Sequence, residues 1–183
     1  MTHHIRSQVS LRSVGWRETV VLLGAACLVP VLVWRIPWNG SQPLSVYLLP
    51  AFWTTFVALY FYGVVPGLLV GLVAPGLSLL LDGLGAWKPA GALGLEIVFF
   101  ALIAALMIAR WPGFSFTAPL AFLAAKAAAI AVQFFVPAFG FSGKPFLHLA
   151  AATQNGLAGL VVLSAINAFL VALHPLTEEW EKE

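Results

Sequence analysis

The sequence predicts an all-α membrane protein: six transmembrane helices in one domain covering 1–183, with both termini in the cytoplasm. Three observations predict it. The first is composition. Of the 183 residues 61% are hydrophobic and 9% charged, where a soluble domain is roughly 45–50% apolar and about 25% charged. The mean hydropathy of +0.97 agrees. A soluble domain could not cover so much apolar surface, and a disordered chain needs the opposite balance. The second is the number of apolar runs long enough to approach the roughly 20 residues a bilayer core demands. The third is how the Lys, Arg and Trp residues fall between those runs.

The first predicted span, 19–34, is closed by Arg35-Ile-Pro-Trp-Asn-Gly40. The second, 44–62, and the third, 64–81, are separated only by Gly63 and the Val65-Pro66-Gly67 turn. The fourth, 90–109, stops at Arg110-Trp-Pro-Gly113, the fifth covers 116–139, and the sixth covers 147–173 ahead of His174-Pro175. The start of the chain is polar for too long, and the run after it lacks an Ala-x-Ala site, so no cleaved signal peptide is predicted.

Orientation follows from the loops. With the N-terminus inside, Arg6, Arg12, Arg17, Arg110 and Lys182 are cytoplasmic, against Arg35, Lys88 and Lys144 outside. Trp16, Trp34, Trp38, Trp87 and Trp111 fall at predicted helix ends, where interfacial aromatics belong.

Several function classes drop out. A net charge of +2 leaves no basic stripe to hold nucleic acid. The lone Cys27 cannot form an intrachain disulfide and reads as a packed thiol. No Walker motif is present, so ATP hydrolysis would fall to other subunits. Gly140-Phe-Ser-Gly143 with His174 resembles the Ser–His pair of rhomboid proteases, but Ser142 lies in a loop and His174 at the opposite membrane face. No catalytic residue and no cofactor is therefore expected. His3-His4 reads as a frayed tail, so no metal site is expected either.

Function should be sought in polar groups inside the bilayer, because an ionisable side chain there is costly without a partner. Glu96 lies six residues into the fourth span, about 9 Å deep at about 1.5 Å per residue. Lys126 lies near the middle of the fifth, in the small-residue stretch Leu123-Ala-Ala-Lys-Ala-Ala-Ala129. Two readings of Lys126 stand: a structural bridge to Glu96, or a substrate contact. By the same rise arithmetic Gln133, Gln154 and Asn155 share the level of Glu96, facing outward. His148 is either interfacial or a substrate contact. Asn167 reads as a bridge between helices. Gly67-Leu-Leu-Val-Gly71 reads as a close helix–helix packing face, as do Gly156 and Gly159.

The segments Ile36-Pro-Trp-Asn-Gly40, Leu48-Leu-Pro-Ala-Phe-Trp53, Ala74-Pro-Gly-Leu-Ser-Leu-Leu-Leu-Asp-Gly83 and Leu93-Gly-Leu-Glu96 together resemble the substrate-binding S components of energy-coupling factor (ECF) transporters. The resemblance runs from about Trp34 to Phe100. Asp82-Gly83 stands where Thr-Gly is more usual. Gly24-Ala-Ala-Cys-Leu28 stands where the family has an Ala-x-x-x-Ala docking surface, so Gly24, Ala25 and Ala26 are the expected docking residues.

The resemblance implies a six-helix bundle in a prokaryotic cytoplasmic membrane. It implies an outward-facing site for a vitamin-like micronutrient, and import driven by a transmembrane coupling subunit with two ATPase subunits. The expected site has Trp53, Trp87, Phe99 and Phe135 for stacking and Glu96, Gln133, Gln154 and Asn155 for hydrogen bonds, with Lys126 facing a ligand carboxylate or phosphate. The competing reading from another class is a structural or sensory membrane domain with no small-molecule role.

Overall fold

The computed structural model describes residues 44–83, 87–136 and 145–180, with scattered positions between 17 and 39. Seven helices occupy the continuous segments: α1 (Leu44–Leu48), α2 (Pro50–Tyr62), α3 (Val64–Asp82), α4 (Trp87–Arg110), α5 (Thr117–Phe135), α6 (Pro145–Asn155) and α7 (Leu157–Trp180). No strand occurs among the described residues. Of the first predicted span only isolated positions are described, and those from Arg17 to Val33 are helical.

Among the described residues two helices have the length and apolar composition to cross a membrane, α4 and α5, and α6 with α7 makes a third if the bent pair is one span. The 24 residues of α4 rise about 36 Å, a little more than the roughly 30 Å of bilayer hydrocarbon. Trp87 with Lys88 stands at one end of it and Arg110 with Trp111 at the other, and all four are exposed. Large apolar side chains between such ends also face outward, among them Leu106 at 71% exposure and Val161 at 70%. Such a surface suits lipid rather than water.

α2 to α5 form successive antiparallel hairpins. Gly63, at φ 88°, is the whole connection between α2 and α3, a dihedral that glycine adopts at no steric cost. Val65-Pro66-Gly67, expected as a turn, is instead the first turn of α3, where a proline is tolerated. The Gly67/Gly71 face packs as the sequence predicts. A Cβ on Gly67 would meet Leu59 Cβ at 2.8 Å, and one on Gly71 would overlap Thr55 and meet Ile97 Cγ2 at 2.5 Å. The core lies where α2, α4 and α5 meet. Phe52 stacks edge-on against Phe100 (centroids 5.4 Å apart) and Phe122 (4.9 Å), and Phe56, Phe100 and Phe122 are fully or almost fully buried. Edge-to-face pairs of this kind add to the value of the buried area.

Two predicted spans are interrupted. The second breaks at Leu49, which sits in the left-handed region at φ 52° and ψ 46°. The cause is Pro50. Its ring disfavours α geometry at the preceding residue, and inside a continuous helix it would also press on the carbonyl of Val46. As the first residue of α2 the same proline is well placed. The sixth breaks at Gly156, and α6 and α7 meet there at 65°.

The two breaks touch. A Cβ on Gly159 would lie 2.5 Å from Leu49 Cγ and 2.8 Å from the Tyr47 carbonyl oxygen, and one on Gly156 would lie 3.4 Å from Leu49 Cδ1. Leu49 thus fills a notch left open by Gly156 at the break and Gly159 in the first turn of α7. Near the middle of α7, Asn167 donates Nδ2–H to the Phe114 carbonyl, in the turn between α4 and α5, at 3.0 Å. Thr117 Oγ1 donates to the same oxygen at 2.9 Å.

A prediction follows for Leu49. Leu49→Ala removes the side chain from its notch while keeping a Cβ in the left-handed region, and is expected to cost about 2–3 kcal/mol. Leu49→Gly loses the same packing but relieves roughly 1 kcal/mol of backbone strain, so it should melt above Leu49→Ala. Thermal unfolding in detergent checks the order, which is the reverse of the ordinary helix-propensity order.

Candidate functional site: an ion pair at the centre of the bundle

Lys126 Nζ lies 2.7 Å from Glu96 Oε2. The carboxylate comes from α4 and the ammonium from α5, the most extensively packed neighbours in the fold. Glu96 is 7% exposed as a residue, and the two side chains retain 16% (Lys126) and 10% (Glu96) exposure. The alanines around Lys126 explain the approach. Ala125 and Ala129 are fully buried, so no bulky neighbour on α5 keeps the two helices apart.

The pair sits at the middle level of the bundle. Glu96 adjoins Ile97, Ile97 approaches Gly71, and Gly71 approaches Thr55. Those residues are close to the midpoints of α4, α3 and α2, as Lys126 is of α5. Among the described side chains within these four helices, the other charged groups, Lys88 and Arg110, are exposed at the ends of α4.

Gln133 lies seven residues after Lys126 on α5. Two helical turns carry it back to the same face, about 10 Å further along. It is 6% exposed, and its Nε2 has no hydrogen-bond partner. A buried amide donor without a partner is uncommon in a folded protein and calls for an explanation. The first turns of α4 run past this end of α5 and offer no acceptor side chain: Trp87-Lys-Pro-Ala-Gly-Ala-Leu-Gly94 carries only Lys88, whose Nζ lies 5.9 Å over the Trp87 ring.

The remaining expected site residues divide. Trp53 is half-buried and packs against the core from α2, and Phe99 does so from α4. Trp87 is 44% exposed and Phe135 79% exposed, so neither is enclosed. Gln154 is exposed and Asn155 half-buried at the end of α6. Of the docking residues, Gly24 is half-buried with open space beside its Cα and Ala25 is exposed. Ala26, Cys27 and Ser142 lie outside the described residues, as do the side chains of His148 and His174.

The common level expected for Glu96, Gln133 and Asn155 is not what the helices give. α5 ends at Phe135 instead of 139, so Gln133 is two residues from its end. α4 begins at Trp87, so Glu96 is nine residues in, about 13 Å along the helix. A Cβ on Gly156 would lie 3.8 Å from Phe122. The neighbouring Gly156 thus lies beside the Phe122 ring, and Phe122 precedes Gln133 by eleven residues on α5. The groups brought together are Glu96, Lys126 and, on the same face, Gln133.

Two features had no place in the sequence reading. One is the junction of Leu49 with Gly156 and Gly159, signalled by Leu49-Pro50 and by the Asn155-Gly156 dipeptide. The other is an apolar cleft of about 630 Å³ lined by Met107, Trp111, Gly113, Phe114 and Leu120, at the α4–α5 turn. Glu96 is eleven residues from Met107 along α4, so the cleft and the ion pair are separate.

Fold and site together define a helical, membrane-associated protein with a charge pair in its apolar interior. No family model matches the chain, and neither does any curated protein or solved structure.

Proposed function

We propose that the chain is the substrate-binding subunit of an ECF-type importer, a six-span S component of a prokaryotic cytoplasmic membrane with both termini inside. It captures a vitamin-like small molecule from outside and passes it on with a transmembrane coupling subunit and two ATPase subunits. The observation that carries this reading is the buried Gln133 amide, unpartnered on the face of α5 that also presents the Lys126–Glu96 pair. A few polar groups inside an otherwise apolar bundle is the usual composition of a small-molecule site. Broken helices add to this, since interruptions at membrane depth recur where transporters hold their substrates. ATP hydrolysis belongs to the partners in this reading, and the chain itself catalyses no reaction.

A structural or sensory role has one observation in its favour: Lys126 and Glu96 already satisfy each other at 2.7 Å. The two readings separate in one measurement, mass spectrometry of small molecules released when the detergent-purified protein is denatured. The substrate-binding reading expects one compound in near-stoichiometric amount. A protein that releases none, and whose melting temperature no candidate micronutrient raises, is a structural domain.

A further inference from the structure

Resting on the substrate-binding reading above, we propose that the site between Lys126 and Gln133 takes an uncharged compound with an O=C–N–H edge: a lactam, a ureide or an imide.

Charge is the first constraint. Among the described residues Glu96 and Lys126 are the acidic and basic groups at this level, and as an ion pair at 2.7 Å their charges sum to zero. A ligand with net charge would leave one charge in the bundle without a counterpart, which is the costliest arrangement for an apolar interior. A zwitterion is neutral overall, but its two charges would have to separate the pair. A neutral edge binds with the pair intact.

Unused hydrogen-bonding capacity is the second constraint. An ammonium carries three donors and a carboxylate two acceptor oxygens. The pair uses one of each, Lys126 Nζ to Glu96 Oε2. Spare Lys126 N–H groups therefore sit beside the Glu96 Oε1 acceptor. A carbonyl adjacent to an N–H matches that donor–acceptor pair: the carbonyl accepts from Lys126 and the N–H donates to Glu96. Gln133 is the third constraint. About 10 Å along the same face its Nε2–H lacks an acceptor, so the compound carries a second carbonyl or ring nitrogen at its far end. That spacing suits a small one- or two-ring heterocycle. The side-chain exposures of 16% and 10% leave the pair reachable.

The test uses the full-length protein in detergent with three probes. Uracil has the edge and no charge, 1,3-dimethyluracil has the same ring without N–H, and orotate has the edge with a negative charge. Uracil is expected to raise the melting temperature, and the other two to bind at least about tenfold more weakly. Gln133→Leu gives the second readout. It removes a buried donor that the ligand-free protein leaves unmade, so the empty variant should melt above the parent while its uracil affinity falls about tenfold or more.

Orotate or dimethyluracil binding as well as uracil overturns the proposal. So does a Gln133→Leu variant that melts lower and binds uracil unchanged. A charged or zwitterionic compound released from the purified protein overturns the assigned class and leaves the substrate-binding reading standing. No released compound and no shift with any probe overturns both.

Discussion

Glu96→Gln is expected to lower the stability of the folded bundle by about 3 kcal/mol, and Lys126→Met to do the same, whereas the double variant recovers most of the loss. Two charges facing each other at 2.7 Å inside a helical bundle contribute little net stability, because each has given up its hydration. Removing one partner leaves the other without compensation, at a cost of about 3–5 kcal/mol, while replacing both with neutral groups of similar volume is close to neutral. The lower end of that range applies to Glu96→Gln, since the new amide oxygen still accepts from Lys126 and the lysine stem can bend toward the helix end. Denaturant unfolding of the four proteins in one detergent gives the coupling energy directly. Single-variant losses that simply add in the double variant would mean the pair does not act as a unit.

This result bears on any functional use of these residues. Because Glu96 holds Lys126, a single substitution confounds binding with folding, and lost binding by Glu96→Gln alone identifies nothing. The informative background is the double variant, which folds without either charge and presents the rest of the site unchanged. If it still binds uracil as the parent does, the pair serves the fold and the site lies elsewhere.

The ion pair was legible in the sequence as one of two readings of Lys126, because an unpartnered charge in an apolar run has few ways to be satisfied. The close packing of Gly67 and Gly71 was legible for similar reasons, and so was the need of Asn167 for an acceptor, although that acceptor, the Phe114 carbonyl, lies in the α4–α5 turn and not on another helix. Small residues at a spacing of four let backbones meet, and an amide in an apolar helix must find an acceptor. The helix breaks were not legible from hydropathy, which counts residues without regard to their dihedral angles. Membrane helices tolerate proline and glycine when neighbours satisfy the freed backbone groups. Leu49-Pro50 and Asn155-Gly156 therefore looked like ordinary interior positions. The error propagated to the site: counting residues along the expected spans put Glu96 level with Gln133, and the ends of α4 at Trp87 and of α5 at Phe135 move them apart.

Gly159→Ala is expected to destabilise the protein by about 3 kcal/mol. A Cβ there would lie 2.5 and 2.7 Å from Leu49 side-chain carbons and 2.8 Å from the Tyr47 carbonyl oxygen. The Leu49 side chain can turn away in part, but the oxygen belongs to the backbone of α1 and cannot. Relief requires moving α1 away from α7 as a unit, and overpacking of this kind costs typically 1–3 kcal/mol. Gly76→Ala is the matched control. Gly76 lies inside α3 with nothing within 4 Å of an added Cβ, so the substitution should stabilise by roughly 0.5–1 kcal/mol through backbone entropy. The same chemical change is thus expected to act in opposite directions at two helical glycines. The melting temperatures decide whether the contact between the two breaks is as tight as the geometry requires: equal shifts at both positions would mean that α1 and α7 can part without cost, and Leu49 would then be a passive kink rather than the peg that holds them.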